Sequence, residues 1–431
     1  MAGSTKDAMQ ELCEQAADIV KRSGTDPSSY RGLSPFNDTR RNEPFLGLPA
    51  FSTASTALHD IPEFDSLVGA ANADNFALQF IFNLLGQLST AAFDQAAFDV
   101  VWDDLTGELG NPDWTYFAVC NLKNFSCPDD TMVLADGVLI RSRSYTALGT
   151  LLGWTEPYIE ATLGRDWTEG GFGSHVLIAE SRLAKSPDNL VLANDPASVI
   201  KLGRTLLAMR LSKAGFVTPG RIFFTRKGKF RFGLGGITSS GQSRWEPGTT
   251  YELTAADLSL IQATYDALKT LDAMGNKVRA LSLALRAFTS IYQRDHFRAE
   301  DRLVDSVTAI EAVLRLDTDL SFRSSFQVAG LLATNDDDRV AIFREMKTFY
   351  DTRSKVVHGG ELKAKHTAAL QNYERLLDLV RWLLSGFVRA TAVGTVPQDF
   401  YEEVDGSLQH SVRRAELRAA FGWSEAEPRA T

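Results

Sequence analysis

Cysteine is scarce. Cys13, Cys120 and Cys127 are the only three in 431 residues. The number is odd and no C-x-x-C occurs, and although a hairpin could bring Cys120 and Cys127 together, a disulfide or cysteine metal site is not the expected reading. Reduced, partly buried thiols are expected. Histidine is also sparse: His59, His175, His296, His358, His366 and His410 are scattered, with no H-E-x-x-H. That pattern offers no metal centre. A long apolar run is missing as well. No stretch of about 18 apolar residues is present, so no membrane span is expected. The opening "MAGSTKDAMQELCEQAADIVKRSG" lacks the apolar core of a signal peptide and carries Asp7, Glu11, Glu14 and Asp18 in its place. It reads as an amphipathic helix, and a cytoplasmic protein is expected. Excess positive charge is absent too. A net charge of −9 excludes a protein that coats nucleic acid through phosphate neutralisation, but permits a local basic site.

What is present is an ordinary globular composition, 44% hydrophobic and 23% charged, on a chain long enough for two or three domains. The expected fold is an α+β N-terminal region, 1–250, followed by an all-α antiparallel helical bundle at 251–395 and a helical appendage at 396–431. Residues 70–108 look helical. "WTYFAVCNLKNF" and "TMVLADGVLIRSR" are β-rich runs separated by turn chemistry, and "SHVLIAESRL" is a further strand. Asp195 and Pro196 open a helix that closes at Gly215. "GRIFFTRKGKFRFGLGG" reads as a hairpin. The Gly/Ser-rich segment after it contains no G-K-[ST], so it is taken as a linker and not as a phosphate loop. No cofactor motif is found.

From Thr254, which with Asp257 forms a start signal, apolar residues step by three and four. Leu258, Ile261, Tyr265 and Leu268 mark one helix. Val278, Leu281, Leu285 and Phe288 mark a second, and Leu303, Val307, Ile310 and Leu314 a third. A fourth runs through Val340, Phe343 and Phe349 or Tyr350. A long fifth runs from Leu370 to Phe387, and one more helix is expected at 407–420. Such stripes with short connections make a bundle.

The candidate site lies in "FYDTRSKVVHGGE", at the end of the fourth helix. Gly359 and Gly360 suit a helix C-terminus, which places His358 on the last turn. Histidine suits proton transfer near neutrality, arginine suits a phosphate, and serine donates a hydrogen bond to one. Residues 341–390 hold nine Lys/Arg against five Asp/Glu, a balance of +4. Ser354 and His358 share a helix face. Arg353 and His358 do not, being about 140° apart. One copy therefore cannot easily converge both on one phosphate, whereas two copies related by a two-fold axis could. The bland alternative is that Arg353 simply pairs with a carboxylate such as Glu311.

Beyond the spacing, "EDRLVDSVTAIEAVLRL" (300–316) and "LSFRSSFQVAGLLATNDDDRVAIFREMKTFYDTRSKVVHGG" (320–360) resemble the Apea-like branch of the HEPN superfamily. Leu303, Val304, Asp305, Ala309, Ile310, Glu311, Ala312 and Leu314 match its first motif. Tyr350, Arg353, Ser354, Lys355, Val356, Val357, His358 and Gly359 match its last. Arg323 and Ala329 match a looser middle helix, in which Gln327 stands where a second arginine would fit. The resemblance spans roughly 255–395. It implies a helical bundle that dimerises and a metal-independent endoribonuclease acting in anti-phage defence, toxin–antitoxin or stress systems. His358 would transfer protons, with Arg353 on the phosphate and Ser354 beside it. Lys355 and Arg323 would contact single-stranded RNA, and Asp305, Glu311, Tyr350 and Gly359 would hold the motif together. Other HEPN domains only bind nucleotides or protein partners, so a non-catalytic module is the alternative. Residues 1–250 are expected to act as a sensor or specificity module for a trigger or inhibitor.

Overall fold

The computed structural model describes residues 2–31, 39–61, 64, 73–142, 175–184, 196–226, 230, 237–238, 249–293 and 299–423. Among them, the first helices are α1 (Ala2–Ser23), α2 (Thr39–Leu46), α3 (Pro49–Ala57), α4 (Ala73–Leu85) and α5 (Gln95–Gly110). The stretch expected to be helical at 70–108 is thus two helices. Asp94 begins the second by accepting from the backbone N–H groups of Ala96 and Ala97. Apolar faces of these helices form one core, with Phe45, Phe76, Phe80, Phe98 and Trp102 at its centre.

The strands are β1 (Asp113–Lys123), β2 (Phe125–Ser126), β3 (Thr131–Val133), β4 (Leu139–Ser142), β5 (His175–Ala184), β6 (Thr218–Arg226), β7 (Ile237–Thr238) and β8 (Tyr251–Glu252). Six of them make one antiparallel sheet in the order β3-β4-β5-β1-β6-β7. β2 and β8 pair separately and in parallel. Alternation puts Trp114, Tyr116, Ala118, Cys120 and Leu122 on one face of β1. Trp114 and Tyr116 belong to the helical core of the first 110 residues, while Ala118, Cys120 and Leu122 belong to a second, larger core. β1 therefore joins the two. Asp195, the Lys-Gly turn at 227–229 and most of the Gly/Ser-rich linker lie outside the described residues.

Helix α6 (Pro196–Ser212) opens on Pro196, as expected, and lies between the sheet and the helices that follow. These are α7 (Leu258–Met274), α8 (Arg279–Ile291), α9 (Ala299–Leu314), α10 (Leu320–Leu332), α11 (Asp336–Val357), α12 (Ala364–Gln371), α13 (Tyr373–Val393), α14 (Phe400–Gln409) and α15 (Ser411–Ala420). Among the described residues the C-terminal region is helical. Asp257 accepts from the backbone N–H of Thr254 at 2.9 Å, which fixes the predicted start. The expected fifth helix is broken at Asn372 into α12 and α13, and the appendage holds two helices in place of one.

Residue 250 marks a change of secondary-structure class, but the cores do not divide there. Leu202, Leu206 and Met209 of α6 share one core with the sheet face and with α7 to α15. Of the 396–431 segment, the described residues to Trp423 are part of that core as well. Phe387 of α13 packs against Phe400, Phe421 and Trp423. Arg418 of α15 is buried and donates to the carbonyls of Leu331 and Ala333, closing the end of α10. No described helix is long and apolar enough to cross a membrane.

Candidate functional site

Helix α11 begins where the side chain of Asn335 accepts from the N–H of Asp338, with three carboxylates in its first turn. Ile342, Met346, Phe349 and Tyr350 face the core. Val340, expected inside, is 46% exposed, and Phe343 is half-buried. Both sit on the outer side of the stripe that Ile342 and Met346 centre.

Arg353 faces inward. Its guanidinium lies 3.8 Å from a carboxylate oxygen of Glu311 on α9, and its Nε is buried with no hydrogen-bond partner. The other Glu311 oxygen accepts from the hydroxyl of Tyr350 at 2.8 Å. Burial, with the Glu311 hydrogen bond behind it, pushes the Tyr350 hydroxyl up to about 12. The motif residues Glu311, Tyr350 and Arg353 thus form one contact network between α9 and α11. The pairing of Arg353 with Glu311, set out above as the bland alternative, is present. Asp305 is half-buried on α9, one to two turns before Glu311.

His358 is exposed and caps the C-terminus of α11. Its N–H donates to Ser354 O at 3.1 Å, Gly359 N–H donates to Val356 O, and Gly360 N–H donates to Lys355 O at 2.8 Å. With Gly359 at φ +65°, this is the Schellman closure, and glycine is needed at that turn. Ser354 is half-buried and Lys355 exposed, both on the outer side with His358. The pattern agrees with the angular argument: Arg353 and His358 of one copy point in different directions.

Arg323 is committed elsewhere. On α10, it bonds Asp405 of α14 at 3.0 Å and Asp317 at 3.2 Å, and Gln327 donates to the second Asp405 oxygen at 2.7 Å. These contacts anchor the appendage, and the structure does not bring Arg323 to His358. A cavity of about 250 Å³ between α14 and α15 carries Asp399, Glu403 and Glu416 against Arg413, the wrong balance for a phosphate.

Sequence reasoning missed His366. It is 1% exposed, at the third position of α12. Its Nδ1 accepts from the N–H of Lys363 at 2.9 Å, so Nε2 carries the proton and donates to Asp351 Oδ2 at 3.0 Å. Lys365 bonds the same oxygen at 2.6 Å. Hydrogen bonds from the Lys365 ammonium and then from the His366 N–H hold the Asp351 carboxyl down at about 2. The loop that follows His358 is thereby tied back to α11, two turns before it. The K-x-x-H spacing at the start of α12 is the only sequence signal for this, and it reads as a cap. Among the described residues no cluster of His, Cys, Asp and Glu could hold a metal ion.

Protein-family models, curated proteins and solved structures yield no match to this chain.

Proposed function

We propose that this protein is a metal-independent endoribonuclease of HEPN type, in which two copies complete the site. The observation that carries the reading is the exposed His358 at the capped end of α11, with Arg353 five residues earlier held by Glu311 and Tyr350. RNA cleavage by side chains alone needs a group to take the proton of the 2′-OH, a group to protonate the departing 5′-oxygen, and charge on the phosphate. Two His358 imidazoles from facing copies supply the first two. The guanidinium of Arg353 supplies the third, with Ser354 and Lys355 on the exposed rim. Facing copies would set His358 of one copy beside the α11 end of the other, and Arg353 there reaches the phosphate once its guanidinium turns outward from Glu311. Residues 1–250 would carry the trigger or inhibitor, and the setting would be defence or stress control in the cytoplasm.

The second reading, a non-catalytic HEPN module binding a nucleotide or a protein, is favoured by the Arg353–Glu311–Tyr350 network, which gives the arginine a purely structural use. Purified protein is incubated with single-stranded RNA in excess chelator, beside a folded Arg353→Ala/His358→Ala variant. Cleavage to cyclic-phosphate ends by the parent alone is the expected result. Equal cleavage by both, or none with any RNA, sinks the enzyme reading.

A further inference from the structure

The outer side of α11 carries more than His358. Phe343, Lys347, Ser354 and His358 fall within about 60° of one another on the helix surface. At the far end of this stripe is an aromatic cluster. Phe322 of α10 is 54% exposed, stacks on Phe326 at 5.9 Å with planes 7° apart, and meets Phe343 edge-on at 5.9 Å. A phenylalanine ring held in place by two others and open to solvent is unusual on a surface, because its burial is forgone. Between the cluster and His358 stand Arg344 and Lys347, both exposed and in no ion pair among the described residues, and Asp351, whose carboxylate is already engaged by Lys365 and His366. Past Phe343, in the other direction, lie Asp336, Asp337 and Asp338. Asp336 is engaged by Arg339 and Arg414, and Asp338 by Thr334.

Resting on the endoribonuclease reading above, we infer that this stripe is the substrate track. Single-stranded RNA lies along α11 with an unstacked base on the exposed ring of Phe322 and its phosphates over Arg344 and Lys347. The scissile linkage sits at His358, fifteen residues and about 22 Å further along the axis from Phe343. Stacking on an aromatic platform combined with cations along the backbone is how single strands are held without sequence readout. The facing copy required above meets this stripe at its His358 end, and a second copy fits the Phe322-to-Lys347 end less well. A two-fold contact through it would set Arg344 and Lys347 of each copy close to the same cations of the other. A polyanion neutralises them. The carboxylates of Asp336 to Asp338 end the track beyond the aromatic cluster by repulsion.

The test uses the full chain carrying His358→Ala, so that RNA survives, with fluorescein-labelled oligoadenylate and an abasic oligonucleotide of equal length. Anisotropy gives affinity over a range of salt. Phe322→Leu should weaken oligoadenylate binding roughly tenfold or more, the range seen for loss of one base–aromatic stack, while Phe322→Tyr restores it. Binding of the abasic strand should be the same in all three proteins. Lys347→Gln should flatten the salt dependence. Unchanged oligoadenylate affinity in Phe322→Leu overturns the inference, and if the parent with His358 intact still cleaves RNA, the endoribonuclease reading survives that loss. Unchanged affinity with altered sedimentation of Phe322→Leu assigns the face to a second copy instead. Failure of the His358→Ala protein to bind either strand overturns the track, and the cleavage assay then decides the reading on which it rests.

Discussion

At the scale of single residues, Asp351 is the most informative group. Its carboxylate takes both Lys365 Nζ and His366 Nε2, and it titrates at about 2 in the folded protein. An unfolded aspartate titrates near 3.9. The folded value is the lower one, so the interaction stabilises at pH above about 4 and is lost as pH falls toward 2. The side chain is 39% exposed, and solvent screening limits the net effect to about 1 kcal/mol or less. Asp351→Asn should therefore lower stability slightly at pH 7 and by much less at pH 2, as measured by urea unfolding at both. An equal deficit at both pH values would show that the contribution is packing and not charge. The tie matters for the candidate site, since it closes the loop that leaves His358.

At the scale of elements, the close contact of α13 with the C-terminus sets a sharp expectation. Gly386 faces Trp423, and a Cβ there would lie 2.2 Å from the indole ring. The indole is itself fixed, stacked on Phe421 and donating to Trp382 O. Gly386→Ala should cost about 1–3 kcal/mol through overpacking. Gly406, inside α14 with nothing within 4 Å, is the control. Gly406→Ala should gain roughly 0.5–1 kcal/mol from helix propensity. Thermal melts of the two variants should move in opposite directions. Nothing local in the sequence gives this contact, because the two residues are far apart along the chain and a glycine within an apolar stripe looks like a weak helix position. The helices themselves were legible because their stripes are local. So was the capped end of α11, where Gly359 and Gly360 follow a basic turn. What the periodicity could not resolve was orientation. Val340 keeps the three-and-four spacing yet points outward, because Ile342 and Met346 offer the helix a second apolar stripe that wins the core. The pairing of His366 with Asp351 was hidden for the same reason as the Trp423 contact: it is made by a loop closing on itself.

At the scale of the whole molecule, the expected three-part division is one of secondary structure, while packing ties the parts together. Removal of 396–431 should expose Phe387, strip Arg323 and Gln327 of Asp405, and open the end of α10 that Arg418 closes. A chain ending at 395 is expected to bind a hydrophobic dye and to lose cooperative melting. A sharp melt near that of the full chain would show the appendage to be dispensable. The join between sheet and bundle runs deeper still. The carbonyl of Arg210, in the last turn of α6, accepts from buried Arg381, and the carbonyl of Leu211 accepts from Ser385. The side chain of Arg210 turns to Val217 O, where burial lowers its guanidinium to about 10. A helix end is normally the first place at which a helix frays. Here the C-terminal carbonyls of α6 are held by α13 instead of water. Amide hydrogen exchange in the last turn of α6 should accordingly proceed only with opening of α13, so that the two helices report a single protection free energy although about 170 residues of chain separate them.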